Sequence, residues 1–169
     1  MRNNSPSVLF IGTLVAILTI NGLISAQVKK SAVINVTRTE KVLRDIKANY
    51  QPFQGENSFI VLYSGKEKEE ISVILIETDD AVLVLADVAA GRTVGLTPEV
   101  MRKLLEFNMQ ANFIKVGISD IGSIRVQSEQ GLTSIDPKSF GKLLDQIAAG
   151  ADDVAKILKP VIKTLPAVK

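Results

Sequence analysis

Polar and apolar positions along this chain follow two rhythms, and the switches between them lay out its elements. Val42, Leu43, Ile46 and Tyr50 recur at helical spacing and predict an amphipathic helix over residues 38–49. Thr37 stands three residues before Glu40, the spacing of a capping box that starts such a helix. Pro52 and Gly55 mark the loop that follows. Three strands are predicted next, over 59–63, 71–77 and 81–88, with a charged turn at 64–69 and a tight turn at Asp79-Asp80. Connections this short favour antiparallel hairpins. Thr97-Pro98 reads as an N-cap and first helical position. Val100, Met101, Leu104, Leu105 and Met109 supply the stripe of that second helix, which ends within 108–112. Strands over 113–119 and 123–128 flank the turn Asp120-Ile121-Gly122. Asp136-Pro137 repeats the cap signal, and a helical period runs from Phe140 to Leu158 through Gly150. A glycine there costs about 1 kcal/mol against alanine and leaves room for a bend. Pro160 stops the helix.

The order α-β-β-β-α-β-β-α implies an α+β sandwich, an antiparallel sheet with helices packed on it. Its two halves are patterned differently. In the last two strands Ile114, Val116, Ile118, Ile124 and Val126 alternate with polar residues, so one face is buried and one wet. The first three strands are apolar on both faces. Something must cover the second face: helix two or the amino-terminal lead, or else a second copy, a client peptide or an apolar ligand. Phe59, Val61, Leu62, Ile74, Ile76, Val82 and Val84 form the candidate apolar binding or dimer surface. The pattern alone does not say which of them face inward.

The amino terminus reads as an address. Met1 to Ser7 is polar and carries Arg2, Val8 to Ile20 is almost wholly apolar, and Ser25-Ala26 ends the segment in small residues. That order describes a secretory signal peptide cut after Ala26. The rival reading is a retained anchor, because an uncharged stretch over 8–26 approaches the roughly 20 residues that span a bilayer. Either way the folded part is expected beyond the inner membrane, periplasmic or secreted in the first case and anchored facing outward in the second. The expected organisation is 1–26 signal peptide, 27–37 flexible lead, 38–158 the α+β domain and 159–169 tail.

Composition narrows the chemistry. Twenty basic and eighteen acidic side chains leave a net charge of +2, interspersed with no basic stripe, so nucleic-acid binding has no electrostatic footprint. The chain has no cysteine, histidine or tryptophan. Without Cys and His, no Ser-His or Cys-His nucleophile and no zinc site of the usual nitrogen or sulfur type is available. No metal or cofactor is expected. Asp79-Asp80 reads as turn chemistry rather than paired acid–base carboxylates. Asp152-Asp153 reads as solvated helix charge. Gly91 to Gly95 lacks the Lys-Ser/Thr of a phosphate loop and reads as a plain loop. The run Lys66 to Glu70 reads as a solvated turn. Asn35-Val36-Thr37 forms a glycosylation triplet, but capping is the better role for Thr37. Lys156, Lys159, Lys163 and Lys169 around Pro160 and Pro166 read as a frayed tail more than a membrane contact.

Particular strings point to a family. The helix ending Leu104-Leu105-Glu106-Phe107-Asn108 is followed by Phe113-Ile114-Lys115-Val116-Gly117-Ile118, a turn and Ile124-Arg125-Val126. Gly131-Leu132 and an Asp136-Pro137 helix with Phe140, Leu143 and Leu144 complete the pattern. Together with the front half this resembles the YbjN-like family, which shares its fold with class I type III secretion chaperones, over about 39–158. The resemblance implies an α+β domain that commonly dimerises and binds other proteins, with no catalytic residues to transfer. Secretion chaperones are cytoplasmic and usually acidic; this chain reads as exported and nearly neutral. The expectation is therefore an exported, non-enzymatic protein-binding domain, chaperone-like or adaptor in the cell envelope, whose partner is a protein client or a second copy. A carrier of a small apolar ligand or lipid is the alternative, and it needs an enclosed apolar cavity. A carboxylate-only hydrolase would need two carboxyl groups facing each other about 5–10 Å apart, and no pair in the sequence points to one.

Overall fold

Thr37 starts the first helix as its spacing predicts: its hydroxyl accepts from the Glu40 backbone N–H at 3.1 Å, ahead of α1 (Arg38–Asp45). In this computed structural model the described residues are 36–162, except 56 and 91–93. The Glu40 carboxylate does not turn back to close a capping box. It accepts from the Tyr50 hydroxyl at 3.0 Å and from Arg44 at 2.6 Å. The Glu77 carboxylate takes the remaining free donors, Arg38 N at 3.3 Å and Thr39 N at 2.6 Å.

The helix ends at Asp45 rather than 49. Lys47 turns left-handed at φ 56°, so its N–H reaches the Arg44 carbonyl and the Ala48 N–H reaches that of Leu43. This is a Schellman stop without its usual glycine. Tyr50, counted above on the helix stripe, instead opens an unforeseen edge strand, β1 (Tyr50–Pro52). Its ring meets Phe59 edge to face, centroids 5.6 Å apart. Pro52 is tolerated because an edge strand has one unpaired side.

The other strands are β2 (Ser58–Tyr63), β3 (Ile71–Glu77), β4 (Ala81–Ala90), β5 (Lys115–Ile118) and β6 (Ser123–Gly131). They pair antiparallel in the order β1-β2-β3-β4-β6-β5. The fold is α+β with its helices packed on the sheet, as expected. β4 and β6 run longer than their predicted limits, because each continues to pair with the other as far as Ala90 and Gly131. A bulge between Asp87 and Ala89 bends β4, and the Lys68 ammonium donates to the carbonyls of Asp87 and Val88 there.

α2 (Pro98–Gln110) begins under Thr97, whose hydroxyl accepts from Val100 N. α3 (Pro137–Leu158) begins under Asp136, which accepts from Ser139 N. α3 crosses β3, β4 and β6 and stays continuous through Gly150. A Cβ at Gly150 would come within 2.5 Å of Ile114 Cδ1 and 3.2 Å of Phe107. The missing side chain lets α3 settle against α2 and β6, so the glycine serves packing and not a bend.

The inner face carries Val73, Leu75, Val82, Val84 and Val126, all fully buried. The register sets the second face: one row runs Gln51, Ile60, Ile74, Leu85, Gln127, Lys115 across all six strands. α2 does not cover that face; it packs on β5 and α3. Of the amino-terminal lead, offered above as the other cover, residues 27–35 lie outside the described residues, as do the signal segment and the end of the tail.

Candidate protein-contact surface

The residues singled out from the strand pattern divide between the two faces. Phe59, Val61, Val82 and Val84 are 3, 5, 0 and 0% exposed and form the core under α3, so they present nothing to a partner. Leu62, Ile74 and Ile76 point to the second face, where Leu62 is 50% exposed and the two isoleucines are half-buried. The sequence left them unseparated because both parities of these strands are mostly apolar, with Ser72 and Asp87 among the few polar marks along the second face.

The more exposed apolar surface lies elsewhere. Of the ten large hydrophobic side chains exposed among the described residues, seven fall between Leu96 and Ile121. Met101, Leu105 and Met109 recur every fourth residue along the outer side of α2, at 38, 59 and 86% exposure. Side chains spaced this way stack on one helix face. Val100 and Leu104, the opposite edge of the stripe, are buried. Ile118 on β5, with Met101 and Leu105, borders a shallow apolar groove of about 280 Å3 floored by Leu104 and Val116. Phe113 and Ile121, at the two ends of β5, are 65 and 82% exposed. Clustered apolar side chains of this size mark interaction sites on soluble domains. The helix stripe was visible in the sequence; that its outer half stays bare was not.

Asn108 fixes α2 to β5. Its carboxamide donates to the Val116 carbonyl at 3.0 Å and accepts from the Val116 N–H at 2.7 Å, as a neighbouring strand would. Lys115 reaches back to the carbonyls of Asn108 and Ala111 at the end of α2, at 2.7 and 2.8 Å. These bonds tie the helix that carries the stripe to β5.

The YbjN family profile, described as "Putative bacterial sensory transduction regulator", matches residues 38–158. The chain belongs to the YbjN family. Solved structures of similar fold include a chain of the ExsC–ExsE complex, 17% identical, covering 70% of this chain and 88% of that one at TM-score 0.51. A chain of the heterodimeric ExoU–SpcU complex from the type III secretion system of Pseudomonas aeruginosa is 17% identical, with 59 and 84% covered at TM-score 0.49. YbjN of E. coli, described as a putative transcription regulator, is 10% identical, with 78 and 96% covered at TM-score 0.47. No curated protein sequence matches the chain.

One charged site of this YbjN domain differs from its expected role. Asp152 is not a freely solvated charge. Its carboxylate accepts from three successive backbone N–H groups of the β2–β3 loop: Lys66 at 3.0, Glu67 at 2.9 and Lys68 at 3.0 Å. Those bonds, led by that from Lys66, hold its pKa below the usual carboxylate range. A Cβ at Gly65 would collide with this carboxylate, so only glycine permits the approach. Lys159 adds an ion pair to Glu67 at 2.8 Å. Nearby, burial and then the charge of Asp145 push the Tyr63 phenol up to about 12. The sequence gives little sign of this clasp, because its donors are backbone groups 84 to 86 residues from the acceptor.

Asp80 lies in the expected tight turn and accepts from the Thr78 hydroxyl at 3.3 Å. Ile162 pairs with Val94 in an isolated bridge, so the tail is tied down as far as that residue. Of the loop at 91–95, residues 91–93 fall outside the description and Gly95 donates to the Val161 carbonyl. Among the described residues no group of His, Cys, Asp or Glu is placed to hold a metal, and no helix is long and apolar enough to cross a membrane.

Proposed function

We propose that this chain is a non-enzymatic protein-binding domain, exported to the cell envelope, which pairs with a second copy of itself through the outer stripe of α2 and there serves as an adaptor or chaperone-like factor for a protein client. The carrying observation is the Met101-Leu105-Met109 stripe, bare on a helix that Asn108 ties to β5. A stripe on one helix suits a two-fold contact, since the same patch can meet itself. Membership of a family described as regulatory, and a fold shared with a chain of the ExsC–ExsE complex, support protein contact as the kind of activity. The pattern of residues 1–26 supports export.

Carriage of a small apolar ligand is the weaker reading. The apolar groove holds about 280 Å3 and is open, at or below the roughly 300–1,000 Å3 of typical small-molecule sites.

Sedimentation of the full chain tests the pairing. Leu105→Glu places a charge at the centre of the stripe, where no core contact is lost. It should convert a concentration-dependent dimer to monomer with an unchanged melting temperature. A wild-type chain that stays monomeric at high micromolar concentration removes the self-pairing; a dimer indifferent to Leu105→Glu moves it to another surface.

A further inference from the structure

Among the described residues, the outer stripe of α2 holds all of the sulfur. The sequence has no cysteine and three methionines, one of them Met1. The other two, Met101 and Met109, stand on the same helix face on either side of Leu105, the second of them 86% exposed. With tryptophan also absent, these thioethers are the most readily oxidised side chains among the described residues. Oxidation turns a flexible apolar side chain into a polar sulfoxide and disrupts methionine-rich contacts.

We propose that Met101 and Met109 are an oxidation site that regulates the α2 contact: a hydroperoxide converts them to sulfoxides and the paired chains separate. This rests on the pairing proposed above. In each step the thioether sulfur attacks one peroxide oxygen and the O–O bond breaks. The sulfur gives up two electrons and keeps that oxygen as S=O, and the other oxygen leaves as water with both protons. The oxidant is hydrogen peroxide or an alkyl hydroperoxide, the latter leaving an alcohol. The single chain leaves both methionine side chains exposed, Met109 more than Met101, so oxidation proceeds fastest through the dissociated chain and traps it there. No core side chain is altered, and the fold is retained. Reduction of the sulfoxide restores the apolar stripe.

The test uses the full chain treated with hydrogen peroxide until peptide mass spectrometry shows Met101 and Met109 both oxidised, with Met1 followed separately. Sedimentation should show self-association weakened at least tenfold, with the melting temperature unchanged, and methionine sulfoxide reductases A and B together, supplied with dithiothreitol as reductant, should restore it. Met101→Leu with Met109→Leu keeps an apolar stripe, so this variant should associate normally and ignore peroxide. Met109→Gln should associate weakly without any oxidant. Association that survives full oxidation overturns the proposal while leaving the pairing intact, as does a loss shared by the double leucine variant or accompanied by unfolding. An untreated wild-type chain that never associates overturns the pairing instead.

Discussion

Single residues settle several local conformations here, and two can be read out directly. Lys47 occupies the left-handed region at the end of α1, at φ 56°. A side chain there costs roughly 1–2 kcal/mol, part of which glycine loses again in backbone entropy. Lys47→Gly should therefore raise stability by about 0.5–1 kcal/mol in urea denaturation. Asp152 has its pKa lowered by the loop N–H groups, so its ionised form is favoured in the folded chain. The sign follows: its contribution is present above the ordinary carboxylate range and is lost as pH falls through the depressed folded value. Melting temperatures measured down an acid series should fall more steeply for wild type than for Asp152→Asn, which cannot titrate. Parallel curves for the two proteins would leave the clasp without a role in acid stability.

At the level of elements, caps and periods were legible and contacts were not. Thr37, Thr97 and Asp136 each accept from the third residue of their helix, as their spacing predicts. β3 matches its predicted bounds, because a run of isoleucine and valine between turn signals has few other readings. β1 was hidden because Tyr50 continues the helical period while its ring belongs to Phe59 on the sheet. Gly150 invited a hinge because local propensity counts only the backbone. Its purpose is a close approach to Ile114, a residue far away in sequence. Gly150→Val should thus lower stability by roughly 1–3 kcal/mol through overpacking, and a fall in the denaturation midpoint would register it. The apolar second face of β2, β3 and β4 was likewise readable as a pattern, but which side α3 takes depends on how the whole chain winds.

For the whole molecule, the segment that decides location lies outside the described residues, and its reading stands on residues 1–26 alone. If that segment is a cleaved export signal, mass spectrometry of the protein recovered from the envelope should find an amino terminus at Gln27; uncut chain in the cytosol would contradict export. The two ends of the sheet shape what association can become. On one side β1 is three residues long and includes Pro52, which has no N–H to offer. On the other, the carboxamide of Asn108 already occupies both main-chain groups of Val116. Both margins are blunted against a foreign strand, so crowded copies find a poor template for adding one after another into a fibre. With growth strand by strand disfavoured at both margins, the protein can keep a greasy helix in the open at less risk of seeding amyloid.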